Sequence, residues 1–93
     1  MKQTNYQAAH DMSELICDIF GMDNKETYAV KKIIDKAEKL DLIPSESIKG
    51  LIGGAIYLVL ERTEHKKSYR YIADKLKITS ITVKNISESL SHL

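Results

Sequence analysis

From Ser45 or Ser47 to about Glu61 the chain reads as a helix that is apolar on almost every side. Ile48, Leu51, Ile52, Ala55, Ile56, Leu58, Val59 and Leu60 cover nearly its whole circumference. A helix apolar all round must be buried by protein or by lipid. The apolar run around residues 51 to 60 is too short to cross a bilayer, which asks for about 20 residues. Other helices therefore have to wrap this one. Gly50, Gly53 and Gly54 lie inside it, and each costs about 1 kcal/mol relative to alanine in a helix interior. Close backbone approach by the wrapping helices is the compensation to expect.

The rest of the chain supplies four wrapping segments. The first runs from about Tyr6 to Phe20, with Ala8, Met12, Leu15, Ile16, Ile19 and Phe20 on one stripe at three- and four-residue spacing. Gly21 stops it. Asp23 or Asn24 caps the second, which buries Tyr28 or Val30 together with Ile33, Ile34, Ala37 and Leu40. Asp41 to Pro44 breaks it, because the residue before a proline is pushed out of helical geometry. After the polar stretch Arg62 to Lys67, Ser68 caps a fourth helix and Thr79 a fifth. No repeat, low-complexity tract or convincing strand interrupts this pattern. The expectation is one all-α domain over residues 1–93, five helices around a buried third. With 93 residues it buries only about two-thirds of its unfolded surface, so its stability is modest. A single cysteine and no apolar stretch behind the N-terminus favour a reducing, intracellular setting, with no membrane segment.

Residues 68–90 have the spacing of a helix-turn-helix. Ile72, Leu76, Ile78, Val83 and Ile86 lock two short helices across a tight turn, and Ala73 is the small residue at their close approach. Such a pair leaves one face of its second helix free for a DNA major groove. Charge agrees with this. Residues 1–61 hold seven Lys/Arg against ten Asp/Glu, whereas residues 62–84 hold seven against two. The positive charge is thus concentrated on the suspected docking segment. The outward positions of the fifth helix are Thr79, Ser80, Ile81, Lys84, Asn85 and Ser89. Ser80 and Asn85 suit base edges or phosphates, and Ile81 suits a thymine methyl. Candidate phosphate contacts are Lys66, Lys67, Ser68, Arg70, Lys75, Lys77 and Thr79. The tyrosine rings Tyr69 and Tyr71 are phosphate donors or packing groups, with packing on the central helix favoured for Tyr71. Lys77 stands where many such turns carry glycine in a left-handed conformation.

These residues resemble the cyclin-like repeat of transcription factor B (the archaeal factor and eukaryotic factor IIB), specifically its second, C-terminal repeat. The resemblance runs through Lys36-Ala37-Glu38-Lys39-Leu40-Asp41-Leu42-Ile43-Pro44, through Gly54-Ala55-Ile56-Tyr57-Leu58-Val59, and through Lys66-Lys67-Ser68, Ile72-Ala73, Thr79 and Thr82-Val83-Lys84-Asn85. It implies a five-helix cyclin-like fold. It also implies a transcription-initiation module that reads a promoter element beside the TATA box, with double-stranded promoter DNA, TATA-binding protein and RNA polymerase as partners. By this resemblance Ile81 and Lys84 match recognition-helix positions that reach base edges, and Ser68 matches a capping threonine. The location implied is the archaeal cytoplasm and nucleoid, or the nucleus of a eukaryote, and the expected state is a monomer. The chain departs from the family pattern at Ile48 (usually proline), at Gly53 and Gly54 (alanines), at Tyr71 (an acidic capping partner) and at Lys84 (arginine). Lysine cannot match the guanidinium fork on guanine.

No catalytic constellation, cofactor motif or metal site is expected. His10, Asp11, Glu14 and Asp18 share a helix at metal-like spacing but read as a solvated face, since a closed site wants three or four converging ligands. Gly50 to Gly54 lacks the Lys-Ser/Thr of a phosphate loop, and Cys17 has no cation beside it to make a thiolate. Two other functions fit the same residues. One is a cyclin-like protein-binding scaffold that never touches DNA, working through the acidic first three helices. The other is a small helix-turn-helix repressor, which would bring a dimer interface.

Overall fold

The central apolar segment forms α3 (Ile48–Glu61), and four helices pack around it: α1 (Asn5–Ile19), α2 (Asn24–Leu40), α4 (Tyr69–Leu76) and α5 (Ser80–Leu90). The computed structural model describes residues 5–40 and 48–92. The expected break at Asp41–Pro44 and the start of α3 at Ser45 or Ser47 lie outside the described residues. Helix α3 touches each of the other four, while α1 pairs with α2 and α4 with α5. Its residues 50–56 are all buried, with Leu60. This is the all-α, five-helix arrangement that the sequence pattern predicts, and it agrees with the cyclin-like fold that the family resemblance implies. Among the described residues no helix is long and apolar enough to cross a membrane.

The ends of the helices follow from local chemistry. Helix α2 opens with a reciprocal capping box: the Glu26 amide donates to Asp23 Oδ1 at 2.8 Å, and the Asp23 amide donates to Glu26 Oε1 at 3.1 Å. Asp23 rather than Asn24 is therefore the cap. Helix α1 closes on Gly21 at φ 70°, with the Met22 amide reaching back to the Cys17 carbonyl at 3.1 Å. This is the left-handed cap that glycine permits at little cost. Ser68 and Thr79 cap α4 and α5 as expected, accepting from the amides of Tyr71 and Thr82.

The glycines of α3 are where α4 and α5 come close. A Cβ on Gly53 would meet Leu76 Cδ1 at 3.0 Å, and one on Gly54 would meet Ile86 Cγ2 at 2.6 Å. The helix-propensity cost of these residues is offset by packing that alanine would obstruct.

Helix α1 corrects the expected register. Its buried side is Tyr6, Ala9, Ser13, Ile16 and Cys17, whereas Met12, Leu15 and Ile19 face outward. Small residues four apart (Ala9, Ser13, Cys17) let α1 lie close to its neighbours. The Ser13 hydroxyl is satisfied by the His10 carbonyl at 2.6 Å, so it packs like a small apolar group. On α2, Val30 takes the core position and Tyr28 does not, and Leu40 at the last turn is exposed as well.

Candidate nucleic-acid interface

The helix-turn-helix is built from the residues that define its spacing. Ile72, Ala73, Leu76, Val83 and Ile86 are buried, and Ile78 packs at the edge of the same cluster. The turn is closed by Lys77, which adopts φ 58°, ψ 45°. Its neighbour Ile78 donates its amide to the Ala73 carbonyl at 3.0 Å, completing the same left-handed cap that Gly21 makes on α1. A lysine thus occupies a conformation that costs a side-chain-bearing residue about 1 kcal/mol or more.

Helix α5 turns Ser80, Ile81, Lys84 and Asn85 to solvent, along with Ser89. Ile81 is 68% exposed. Val83, Ile86 and Leu90 on its other side are buried with Ser87, whose hydroxyl donates to the Lys84 carbonyl at 2.9 Å. Between the N-terminal ends of α4 and α5 lies a shallow hollow of about 300 Å³, lined by Ser68, Tyr69, Arg70, Ser80, Ile81 and Lys84. Two cations, two serine hydroxyls, a tyrosine and an exposed isoleucine therefore converge on one surface. Its wall is mostly carbon, which suits the face of a sugar or a methyl group with charge at the rim.

The floor of the hollow has a support absent from the sequence-based expectations. Tyr69 stacks on Tyr57 of α3 with ring centroids 4.2 Å apart and 22° between planes. Hydrogen bonding to Tyr69, together with burial, pushes the Tyr57 phenol up to about 12. The central helix thus fixes the start of α4. The only sequence hint was Tyr57 on an otherwise aliphatic helix.

Not every expected phosphate contact shares this surface. Lys67 and Lys75 gather over the Tyr71 ring, with Nζ 4.9 and 5.5 Å from its centroid. Tyr71 leans on Phe20, centroids 6.3 Å apart. Tyr69, not Tyr71, is the ring that packs on the central helix, which reverses the expectation. Within α4, Tyr71 and Lys75 form a row four residues apart, and Arg70 projects about 100° away from Tyr71. Lys66 and Lys77 are exposed. The hydroxyls of Ser68 and Thr79 are engaged as caps, Thr79 Oγ1 also lying 2.7 Å from Thr82 Oγ1. Each keeps spare capacity for a second hydrogen bond.

Elsewhere the titratable groups settle into local pairs. The Lys31 ammonium donates to Glu14 Oε1 at 2.6 Å and holds that carboxyl below its usual value. His10 lies 3.7 Å from Asp35 and 3.9 Å from Asp11. Burial pushes the Cys17 thiol up to about 11, the opposite of a reactive thiolate. Among the described residues no group of three His, Cys, Asp or Glu is placed to hold a metal ion.

Fold and surface together define an all-α cyclin-like protein with an exposed helix-turn-helix. Sequence comparison adds a relationship. The chain is 28% identical over 68 residues to transcription initiation factor IIB of Drosophila virilis, covering 73% of this chain and 23% of that protein. It is 28% identical over 75 residues to transcription initiation factor IIB of Pyrococcus furiosus, covering 81% of this chain and 25% of that protein. The chain spans about a quarter of the length of these curated relatives. No protein-family model matches it.

Proposed function

We propose that this chain is a DNA-binding module of a transcription initiation factor of the IIB type. In this reading residues 1–93 form one domain equivalent to the second cyclin-like repeat. Its helix-turn-helix enters the major groove of promoter DNA beside the TATA box, with TATA-binding protein and RNA polymerase as partners. The observation that carries it is the convergence of Arg70, Ser80, Ile81 and Lys84 on one hollow at the free face of α5. The relationship to factor IIB points the same way.

The roles follow from chemistry. Ser80, Ile81, Lys84 and Asn85 meet base edges, and Arg70 holds a phosphate at the rim. Lys66, Lys67, Ser68, Lys75, Lys77 and Thr79 give further phosphate contacts, those of Lys67 and Lys75 from the flank where they now rest on Tyr71. The N-terminal amides of α5 add a favourable dipole for an anion. Phosphate neutralisation makes affinity fall with salt, with a log–log slope of about −0.9 per contact.

Titration of the chain with duplex DNA at two salt concentrations tests this. Binding is expected to weaken as salt rises and to drop when Arg70 or Lys84 becomes alanine. Salt-independent binding, or none at high protein concentration, favours a scaffold that binds protein alone. Size-exclusion chromatography distinguishes a monomer from a dimeric repressor.

A further inference from the structure

The wrapping of α3 is incomplete at its C-terminal end. Helices α2 and α5 both pack on α3 but do not pack on each other. Leu58 and Val59 are left half-buried, although residues 51–56 of the same helix are buried. The gap is a groove of about 390 Å³, which Leu58 and Val59 line together with Ala29 and Ile33 of α2 and Leu90 of α5. Apolar atoms make up the larger part of its surface. It is at the small end of ligand-binding volumes and is open to solvent. Such a groove takes one or two side chains of a longer ligand rather than enclosing a whole small molecule.

Charge identifies what fits it. Lys32 and Lys36 of α2 and Arg62 after α3 stand along the groove, against one carboxylate, Glu61. This excess of cations lies beside helices whose overall charge is acidic, since residues 1–61 hold seven Lys/Arg against ten Asp/Glu. Lys32 and Lys36 are one helical turn apart, a spacing at which like charges repel. Asp35, next to Lys36 in the chain, turns instead toward His10 of α1 at 3.7 Å. The Lys32 ammonium rests 5.4 Å from the centre of the Tyr28 ring, a contact that leaves its charge in place. Arg62 follows the C-terminal end of α3, so part of its charge answers that helix's dipole. The two lysines lie along α2 and have no such role. From this juxtaposition we infer that the groove between α2, α3 and α5 binds a short acidic segment of a partner protein. That segment sets one or two large apolar side chains on Leu58 and Val59 and its carboxylates against Lys32, Lys36 and Arg62. Apolar anchors give it affinity, and the charges along the groove select its sign. A nucleic-acid backbone fits less well, because phosphate has nothing apolar to place on Leu58 and Val59. The inference stands apart from the DNA reading, whose contacts begin at Ser80, about 15 Å along α5 from Leu90.

The test is a methyl-resolved NMR titration of the full chain with a short synthetic peptide, a central pair of leucines flanked on each side by aspartates. One control peptide has lysine in place of each aspartate, and a second has serine in place of each leucine. The acidic leucine peptide is expected to shift the Ile33, Leu58 and Val59 methyl resonances and to bind roughly tenfold more tightly than either control. Lys32→Glu with Lys36→Glu should reverse the order of the aspartate and lysine peptides, on a chain whose circular dichroism stays native because both residues are exposed. The same double variant should keep most of the wild-type affinity for duplex DNA, so failure of the DNA reading and failure of this one are told apart. Equal affinity for the aspartate and lysine peptides, equal affinity for the serine peptide, or no shift at about millimolar peptide overturns the inference. Displacement of the peptide by duplex DNA, with DNA affinity lost in the double variant, assigns the cations to nucleic acid and overturns it. A dimer seen by sedimentation and dissolved by the double variant assigns the groove to a second copy and overturns it too.

Discussion

Gly54 and Ile86 are pressed together so closely that a single added carbon has no room. A Cβ on Gly54 would stand 2.6 Å from Ile86 Cγ2 and 3.1 Å from the Ser87 backbone nitrogen. The helix proposed to enter DNA is thus seated on the central helix through a missing side chain. Any shift of α5 at this point moves Ser80 and Lys84 relative to Arg70.

Gly54→Ala should therefore destabilise the protein, although alanine is the better helix former by about 1 kcal/mol. The Ser87 backbone cannot yield without displacing α5, so an overpacking cost of roughly 1–3 kcal/mol is expected to dominate. Gly53→Ala should be much milder, because its nearest neighbour is the end of the Leu76 side chain at 3.0 Å. Thermal unfolding of the two variants checks the order, and equal midpoints would refute the close seating of α5.

Lys77 gives a prediction of the opposite sign. It is the described non-glycine residue with positive φ, at 58°. Lys77→Gly relieves the left-handed penalty and should stabilise the fold by up to about 1 kcal/mol, less the entropy that glycine gains on unfolding. Since Lys77 is also a proposed phosphate contact, the same variant should bind DNA more weakly and lose roughly one unit of salt slope. Chemical denaturation and the salt titration read the two effects separately.

Much of this architecture was legible from sequence, for identifiable reasons. The central helix declared itself because apolar residues on every side leave no exposed orientation. The helix-turn-helix did so because Ser68, Thr79 and the Ile72 to Ile86 spacing are each local signals that agree. Helix α1 misled because Met12, Leu15 and Ile19 are not core residues, although Ile16 on the same expected stripe is. Ala9, Ser13 and Cys17 win the interior by size, and periodicity weighted by hydrophobicity cannot see that preference. The division of the lysines was hidden too. Lys67 and Lys75 sit beside Arg70 in the sequence-based list, but the ring of Tyr71 draws them to another side of α4.

Ile81 supplies a test that removes one methyl group from the DNA and nothing else. If its side chain meets a thymine methyl, replacing that thymine with uracil should cost about 0.8 kcal/mol, a three- to fourfold loss of affinity. Ile81→Ala should weaken binding to the thymine duplex and leave the uracil duplex less affected. A double-mutant-type cycle over protein and DNA reports the coupling, and a coupling of zero would place Ile81 away from the methyl.

Tyr57 and Tyr69 make the support of α4 visible to pH. The Tyr69 hydrogen bond and burial hold the Tyr57 phenol protonated up to about 12, whereas an unfolded tyrosine ionises near 10. The folded state therefore binds the proton more tightly than the unfolded state. The associated stability is fully present below about pH 10 and is lost as pH rises from there through about 12. Ultraviolet titration of phenolate should show one late-ionising tyrosine that disappears in Tyr57→Phe. In Tyr69→Phe the remaining phenol should move back toward its ordinary value as the hydrogen bond is lost. The same Tyr69→Phe change keeps the ring stacked, so DNA affinity should hardly alter. Tyr69→Ala removes the floor of the hollow and should weaken DNA binding together with stability. A wild-type titration in which all five tyrosines ionise together would mean that α4 is not anchored to the central helix through this pair.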